Sequence, residues 1–120
     1  MLGLPPSVRI FLCMQPVDMR KSFESLAQAA LSYCQQNPLS GHLFVFASKN
    51  RDRIKLLYWD TSGFVIIYKR LEQGHFNLPK SISADAKSIE IDIADLSALL
   101  NGFNLLRVKR ELRYERLAPV

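Results

Sequence analysis

The sequence has few cysteines and no long apolar run, and these two absences exclude several classes of protein. Its two cysteines, Cys13 and Cys34, are too few for a disulfide framework or a structural zinc site. We therefore expect both to be buried free thiols. There is no run of about eighteen apolar residues, so no transmembrane helix is expected. The N-terminus lacks a basic stretch followed by a long apolar one, which predicts a cytoplasmic protein without a signal peptide.

Sequence motifs that carry chemistry are also missing. There is no Gly-rich phosphate loop, paired CxxC or HExxH pattern, and no serine lies in a nucleophile-elbow motif. His42 and His75 are far apart in the sequence, and the carboxylates are too scattered for a two-metal nuclease, which needs several of them at one point. The scattered carboxylates are Asp18, Asp52, Asp60, Glu72 and Asp85. We therefore expect no catalytic residue, no metal and no cofactor, and a small nuclease or other enzyme is the least favoured function.

The length and composition are those of one folded, basic domain. A chain of 120 residues with 48% hydrophobic content has enough apolar side chains for a single core. A charged fraction of 22% is too low to indicate disorder. The net charge of +5 favours an anionic partner such as nucleic acid, although many basic proteins simply have solvated basic surfaces.

The hydrophobic periodicity predicts an amphipathic helix and several strands in the first two thirds of the chain. Residues 8–13 form a first apolar strand, and Asp18 is placed to cap a helix over about residues 19–36. Apolar runs at 43–46, 53–59 and 64–71 predict an antiparallel meander, and 75–78 is a candidate for another short strand. We expect the side chains of Met19, Phe23, Leu26, Ala30 and Leu31 on the helix to pack on the sheet. Their predicted partners are Ile54, Leu56, Tyr58 and the apolar residues of 64–71.

The last third of the chain predicts one more strand and a short helix. Residues 88–91 indicate a strand weakly, and Asp92 is placed to cap a helix that ends at Gly102. From about Phe103 a basic tail follows, for which an edge strand and a loose extension both fit. The expected protein is a single α+β domain over residues 1–120. It has an antiparallel β-meander of four to five strands packed against one amphipathic helix, with a short C-terminal helix.

A basic hairpin is the stretch that bears most directly on function. Side chains alternate along a strand, so Arg53, Lys55, Leu57 and Trp59 share one face, and we assign the other face, with Ile54, Leu56 and Tyr58, to the core. A two-stranded basic ribbon can enter a DNA groove while its cations contact phosphates, and Trp59 or Tyr68 could stack on bases. The predicted nucleic-acid-binding residues are Lys49, Arg51, Arg53, Lys55, Trp59, Lys69 and Arg70.

A purely structural interpretation of the hairpin stays open. One face of an antiparallel sheet is often solvated, and cations on strands discourage aggregation at sheet edges. Exposure separates the two interpretations. We predict that Arg51 and Lys55 are both exposed, so reversing their charge should abolish DNA binding without unfolding the protein.

Four segments, in order, resemble the TnpB (OrfB) accessory proteins of IS-66 type insertion sequences. Residues 16–23, PVDMRKSF, resemble that family's P-x-DMRKGF opening, with Ser22 where the family usually has glycine. Residues 40–46, 51–60 and 68–76 resemble its SGHLFVF, RDRIKLLYWD and YKRLE-x-G-x-F segments. These four segments lie within about residues 8–79, and the series is far more specific than any single motif. A fifth segment, residues 96–102, resembles the family's closing LLxG helix.

The resemblance implies an accessory role in transposition. Members of this family are encoded beside a DDE-type transposase and a second small protein, and they are distinct from the RNA-guided nucleases that share the name TnpB. The first hypothesis is a non-catalytic accessory protein that binds DNA, such as the element ends, through the basic hairpin. The alternative is a protein–protein adaptor that docks on the transposase or its helper without direct DNA contact.

Overall fold

Five strands and two helices make up the part of the chain that the computed structural model describes, residues 5–79 and 85–101. Helix α1 continues without a break into one π-helical turn, Ala30–Cys34. The elements in chain order are β1 (Ile10–Cys13), α1 (Phe23–Ala29), β2 (Leu43–Ala47), β3 (Arg53–Asp60), β4 (Gly63–Arg70), β5 (Ser88–Ile91) and α2 (Ile93–Leu100).

The strands form one sheet in the order β4-β3-β2-β1-β5. Strands β2, β3 and β4 are consecutive antiparallel neighbours, as the meander predicts, and β5 pairs antiparallel with β1. Strand β1 instead runs parallel to β2, because a helical crossover through α1 returns the chain to the end of the sheet where β1 began. The predicted α+β class, with its short helix near residue 100, is confirmed.

Both faces of the central strands are buried. One face packs under α1 and contains Phe11, Phe44 and Leu57. The other face carries Leu12, Val45 and Leu56 and packs against α2 and a loop residue, Phe76. Strands covered on both faces have continuous apolar sequences, which accounts for the IFLC and LFVFA segments of β1 and β2. Cys13 and Cys34 lie buried as free thiols, as predicted.

Helix α1 lies on the face of β3 that we had expected to be polar. Its buried residue Leu26 packs in one cluster with Leu57, whereas Ile54 and Leu56 pack on the opposite side of the sheet. The predicted contact of the helix with Ile54 and Leu56 is therefore wrong. Alternation along the strand was correct, but it cannot tell which face is covered when helices cover both.

The helix begins later than predicted, which changes the residues that it buries. Asp18 does not cap it, because the N-cap is Ser22, whose N–H donates to Ser25 Oγ at 2.9 Å. Phe23 and Leu31, predicted to be core, are 46% and 51% exposed. Starting at Phe23 and widening into a π-helical turn rotates the apolar stripe relative to that of a uniform helix from residue 19.

The chain after β4 differs from the prediction in one respect and agrees in two. Residues 75–78 form a loop rather than a strand, and it is anchored by Phe76, which is fully buried. Strand β5 and the N-cap Asp92 are confirmed, and Asp92 Oδ1 accepts the N–H of Asp95 at 2.7 Å. The predicted helix end at Gly102 and the basic tail lie outside the described residues. Neither helix in the described ranges is long and apolar enough to cross a membrane.

Candidate nucleic-acid interface

The register of the β3–β4 hairpin decides which of the predicted basic residues share a surface. Arg53 lies directly opposite Arg70, and Lys55 lies opposite Tyr68, on the face that α1 covers. Lys69 points to the other face, because neighbouring side chains on a strand alternate. Antiparallel pairing therefore brings Arg53 and Arg70 together and separates Lys69 from them.

Lys55 is buried, so the prediction that it is exposed is wrong. It is 8% exposed, and its Nζ donates hydrogen bonds of 2.7 Å to the backbone carbonyls of Met19 and Lys21. The same Nζ lies 4.8 Å from the centroid of the Tyr68 ring. Carbonyl oxygens and an aromatic face replace water around the ammonium group, which makes its burial possible. Lys55 thus fastens the segment before α1 to the sheet, and its charge is not open to a phosphate.

Lys69 and Trp59 also have local structural partners. Lys69 Nζ donates to the carbonyl oxygen of Leu100 at 2.6 Å, at the end of α2 where the helix dipole favours a cation. Trp59 packs edge to face against Phe64, with ring centroids 5.1 Å apart. It lies toward the opposite end of β3 from Arg53, about 20 Å away at the usual rise per residue of a strand. Neither residue shares the surface formed by Arg53 and Arg70.

The loop between β2 and β3 holds Lys49 and Arg51 exposed on a fixed backbone. Ser48 closes the loop, because its N–H donates to the Arg53 carbonyl at 3.0 Å and its own carbonyl accepts from the Arg51 N–H at 2.9 Å. Arg51 has a φ of 59°, in the left-handed region that few non-glycine residues adopt. The Arg51 carbonyl accepts the N–H of Phe76 at 2.6 Å. The buried ring of Phe76 therefore anchors the loop from beneath.

Two further cations, Arg20 and Lys21, reach the same end of the sheet from the segment that precedes α1. The Val17 N–H donates to the carbonyl of Ala47, the last residue of β2, at 2.9 Å. The hydrogen bonds from Lys55 hold residues 19 and 21. An open cleft of about 670 Å³ separates this segment from the β2–β3 loop. The cleft is lined by Pro16, Val17, Asp18, Met19 and Arg20 on one side and by Ser48, Lys49, Asn50, Asp52 and Arg53 on the other.

Sequence reasoning missed Arg20 and Lys21 because the residues between them and the hairpin include a whole helix and a strand. The available signal was the Met-Arg-Lys run inside the segment 16–23, which carried the family resemblance. We call the assembled cationic surface the basic end. It comprises Arg20, Lys21, Lys49, Arg51, Arg53 and Arg70.

Three carboxylates lie among these cations. Asp18 accepts hydrogen bonds from the Arg20 guanidinium at 2.7 Å and from the Arg20 backbone N–H at 2.9 Å. These hydrogen bonds lower the pKa of Asp18 to about 2. Glu72 pairs with Arg70 at 3.3 Å, and Asp52 accepts from the Ser48 hydroxyl at 3.1 Å. The six cations outnumber the three carboxylates, so the basic end keeps a net positive charge.

No cluster of metal-binding side chains occurs within residues 5–79 and 85–101. In these ranges no three His, Cys, Asp or Glu side chains are placed to hold a metal ion, and every buried side-chain polar atom has a hydrogen-bond partner. His42 Nδ1 accepts the backbone N–H of Arg9 at 3.0 Å, and its ring packs against Phe11. The basic end supplies hydrogen-bond donors and positive charge, which suit an anionic ligand.

Comparisons with known proteins agree with the resemblance found in the sequence. The family model of the IS66 Orf2-like proteins matches residues 8–110. Two relatives come from Sinorhizobium fredii (strain NBRC 101917 / NGR234). The uncharacterized protein y4jC is 33% identical over 111 residues, 92% of each chain. The uncharacterized protein y4hO is 36% identical over 104 residues, 87% of this chain and 88% of the relative. No solved structure matches. The chain belongs to the IS66 Orf2-like family of insertion-sequence accessory proteins, which is not a known catalytic family.

Proposed function

We propose that this accessory protein binds DNA through the phosphate backbone at its basic end and has no catalytic activity of its own. The observation that carries the proposal is the convergence of cations from two distant stretches on one cleft, with Arg20 on one side and Lys49 and Arg53 on the other. Cations brought together from distant parts of a chain, on a backbone fixed by hydrogen bonds, are suited to contact successive phosphates.

The proposal revises the set of residues that contact DNA. Lys49, Arg51, Arg53 and Arg70 remain from the prediction made on the sequence, and Arg20 and Lys21 join them. Lys55 and Lys69 leave the set because their ammonium groups donate to backbone carbonyls. Contacts to phosphates carry little sequence information, so we expect binding to differ little among duplex sequences.

The salt dependence of DNA binding tests this proposal. Phosphate contacts release counterions, so the logarithm of the affinity should fall linearly with the logarithm of the salt concentration. Arg51→Gln and Arg53→Gln should each reduce that slope by about one and weaken binding of every sequence about fivefold near 0.1 M salt. The measurement is a fluorescence-anisotropy titration of labelled DNA at several salt concentrations.

Arg9→Gln is the matched control for these variants. It removes the same charge from the residue just before β1, at the other end of the sheet, where Arg9 pairs with Glu90 at 2.6 Å. Its slope and affinity should stay close to those of the parent. Equal losses in Arg9→Gln and Arg51→Gln would show that only the net charge matters and would overturn the assignment to the basic end.

A protein–protein adaptor is the second candidate, and one observation favours it. Leu31 and Leu39, which flank the C-terminal end of the α1 region, are 51% and 53% exposed. Exposed apolar side chains of this size suit a protein partner such as the transposase or its helper. The adaptor hypothesis replaces the first if the parent binds no DNA at low salt, while purified transposase binds the parent and not a Leu31→Ser variant.

A further inference from the structure

Two exposed aromatic side chains border the basic end. Among the described residues, the aromatic side chains that stand out as exposed are Phe23, at 46%, and Tyr68, at 48%. Phe23 begins α1, two residues after Lys21. Tyr68 lies on β4, two residues before Arg70 and on the same face. Phosphate binding alone does not require exposed aromatic rings beside the cations of the basic end.

The surroundings of Tyr68 prepare its ring for stacking. Lys55 Nζ lies over the ring, 4.8 Å from its centroid, and Lys55 is itself held by two backbone carbonyls. The cation fixes the ring position from one side while nearly half of the residue stays open to solvent. Arg53 and Arg70, a directly opposed pair one step further along the same face, supply charge next to the ring.

We infer that the basic end takes single-stranded DNA in preference to duplex, with an unpaired base stacked on Tyr68 and the adjoining phosphates held by Arg53 and Arg70. Bases in a duplex are stacked on one another and their faces are not available to a side chain, whereas those of a single strand are free. Phe23 is a second stacking position on the far side of Lys21. This inference rests on the proposed function and adds the form of DNA that the site recognises.

The test compares matched single-stranded and duplex oligonucleotides of about twelve nucleotides at one salt concentration. We expect the parent to bind the single strand at least about tenfold more tightly. Tyr68→Leu should weaken single-strand binding about tenfold, as expected for the loss of one stacked base, and change duplex binding less than about twofold. Tyr68→Phe keeps the ring and should bind like the parent. Trp59→Phe, which alters the aromatic pair toward the other end of the hairpin, is the control.

Several outcomes separate this inference from the proposal on which it rests. Equal or tighter duplex binding, unchanged in Tyr68→Leu, would overturn the inference and leave phosphate binding intact. Binding of neither form would overturn both. Tighter binding of a matched single-stranded RNA would show that RNA is the ligand. If thermal unfolding shows that Tyr68→Leu is misfolded, the parent's preference for single strand over duplex decides alone, and equal affinities would overturn the inference. Phe23→Leu tests the second stacking position separately, and an unchanged single-strand affinity there would remove Phe23 from the site.

Discussion

Lys55 is the residue that joins the two halves of the basic end. Its ammonium group replaces the water that would otherwise solvate the carbonyls of Met19 and Lys21, and it holds Arg20 and Lys21 beside the hairpin. Lys55, which the sequence predicts to bind nucleic acid, therefore has a structural role inside the protein. The side chains that would contact the ligand are the cations around it, and the positions of Arg20 and Lys21 depend on Lys55.

Replacing Lys55 should cost stability and not only charge. Lys55→Met keeps the length of the side chain but removes two charge-assisted hydrogen bonds, so the free energy of unfolding should fall by about 2–4 kcal/mol. Urea denaturation followed by circular dichroism measures the change. Lys69→Met, which removes a single hydrogen bond to Leu100, should cost less. An unfolding midpoint unchanged by Lys55→Met would contradict the role of this lysine as a fastener.

Among the elements, α1 decides how the face of the sheet next to the basic end is covered. Its serine N-cap, late start and terminal π-helical turn direct Leu26, Ala29, Ala30 and Cys34 into the core. The same geometry leaves Phe23 and Leu31 in solvent. The start and the end of this helix therefore determine that Phe23 and Leu31 are accessible to a partner.

Truncating Leu26 and Phe23 should show which side of α1 is buried. Leu26 is fully buried, so Leu26→Ala should lower the free energy of unfolding by about 2–5 kcal/mol. Phe23→Ala should cost less than about 1 kcal/mol, because nearly half of Phe23 is exposed. Chemical denaturation of both variants measures these changes in the free energy of unfolding. A larger loss for Phe23→Ala than for Leu26→Ala would return the helix to the position predicted from periodicity.

The sequence predicted the elements that neighbouring residues determine and missed those that depend on tertiary packing. Strands β2, β3 and β4 follow from apolar runs and short turns, and the cap of α2 follows from Asp92. The parallel direction of β1 and the start of α1 were not predicted, because they depend on how the crossover docks on the sheet. The same holds at the site. Lys49, Arg51 and Arg53 lie in one local stretch, whereas Arg20 reaches them only through tertiary contacts.

The described part of the chain has two ends of different electrostatic character. The carboxyl ends of the parallel strands β1 and β2 meet the basic end. At the opposite end, Arg9 lies just before β1, and its charge is paired with that of Glu90. This polarity can orient the protein toward a polyanion before contact, an effect that salt weakens. The core beneath α1 spans the sheet between these two ends and contains the thiols of Cys13 and Cys34. The ionisation of these thiols therefore affects the stability of the folded protein.

The thiols predict how that stability depends on alkaline pH. Burial is the main cause that raises the pKa of Cys34 to about 12, against an ordinary value of 9.0, and burial also raises the pKa of Cys13. Well below pH 9 both thiols are neutral in the folded and unfolded states, so they leave stability unchanged. Between about pH 9 and 12 the unfolded chain releases the Cys34 proton while the folded protein retains it. The unfolded state then binds fewer protons, and stability falls as pH rises.

Urea denaturation at pH 8, 9.5 and 10.5 measures this dependence. The contribution of Cys34 has a limiting slope of about 1.4 kcal/mol per pH unit above the ordinary thiol pKa. Cys34→Ala removes that contribution whatever it does to stability at neutral pH, so its free energy of unfolding should decline less steeply than that of the parent. Every other titratable group is common to both proteins, so the difference between the two slopes measures the Cys34 thiol together with its electrostatic coupling to Cys13. If the two proteins show the same dependence of unfolding free energy on pH, Cys34 is not buried in the core beneath α1. Rapid alkylation of Cys34 in the folded protein at pH 8 would lead to the same conclusion.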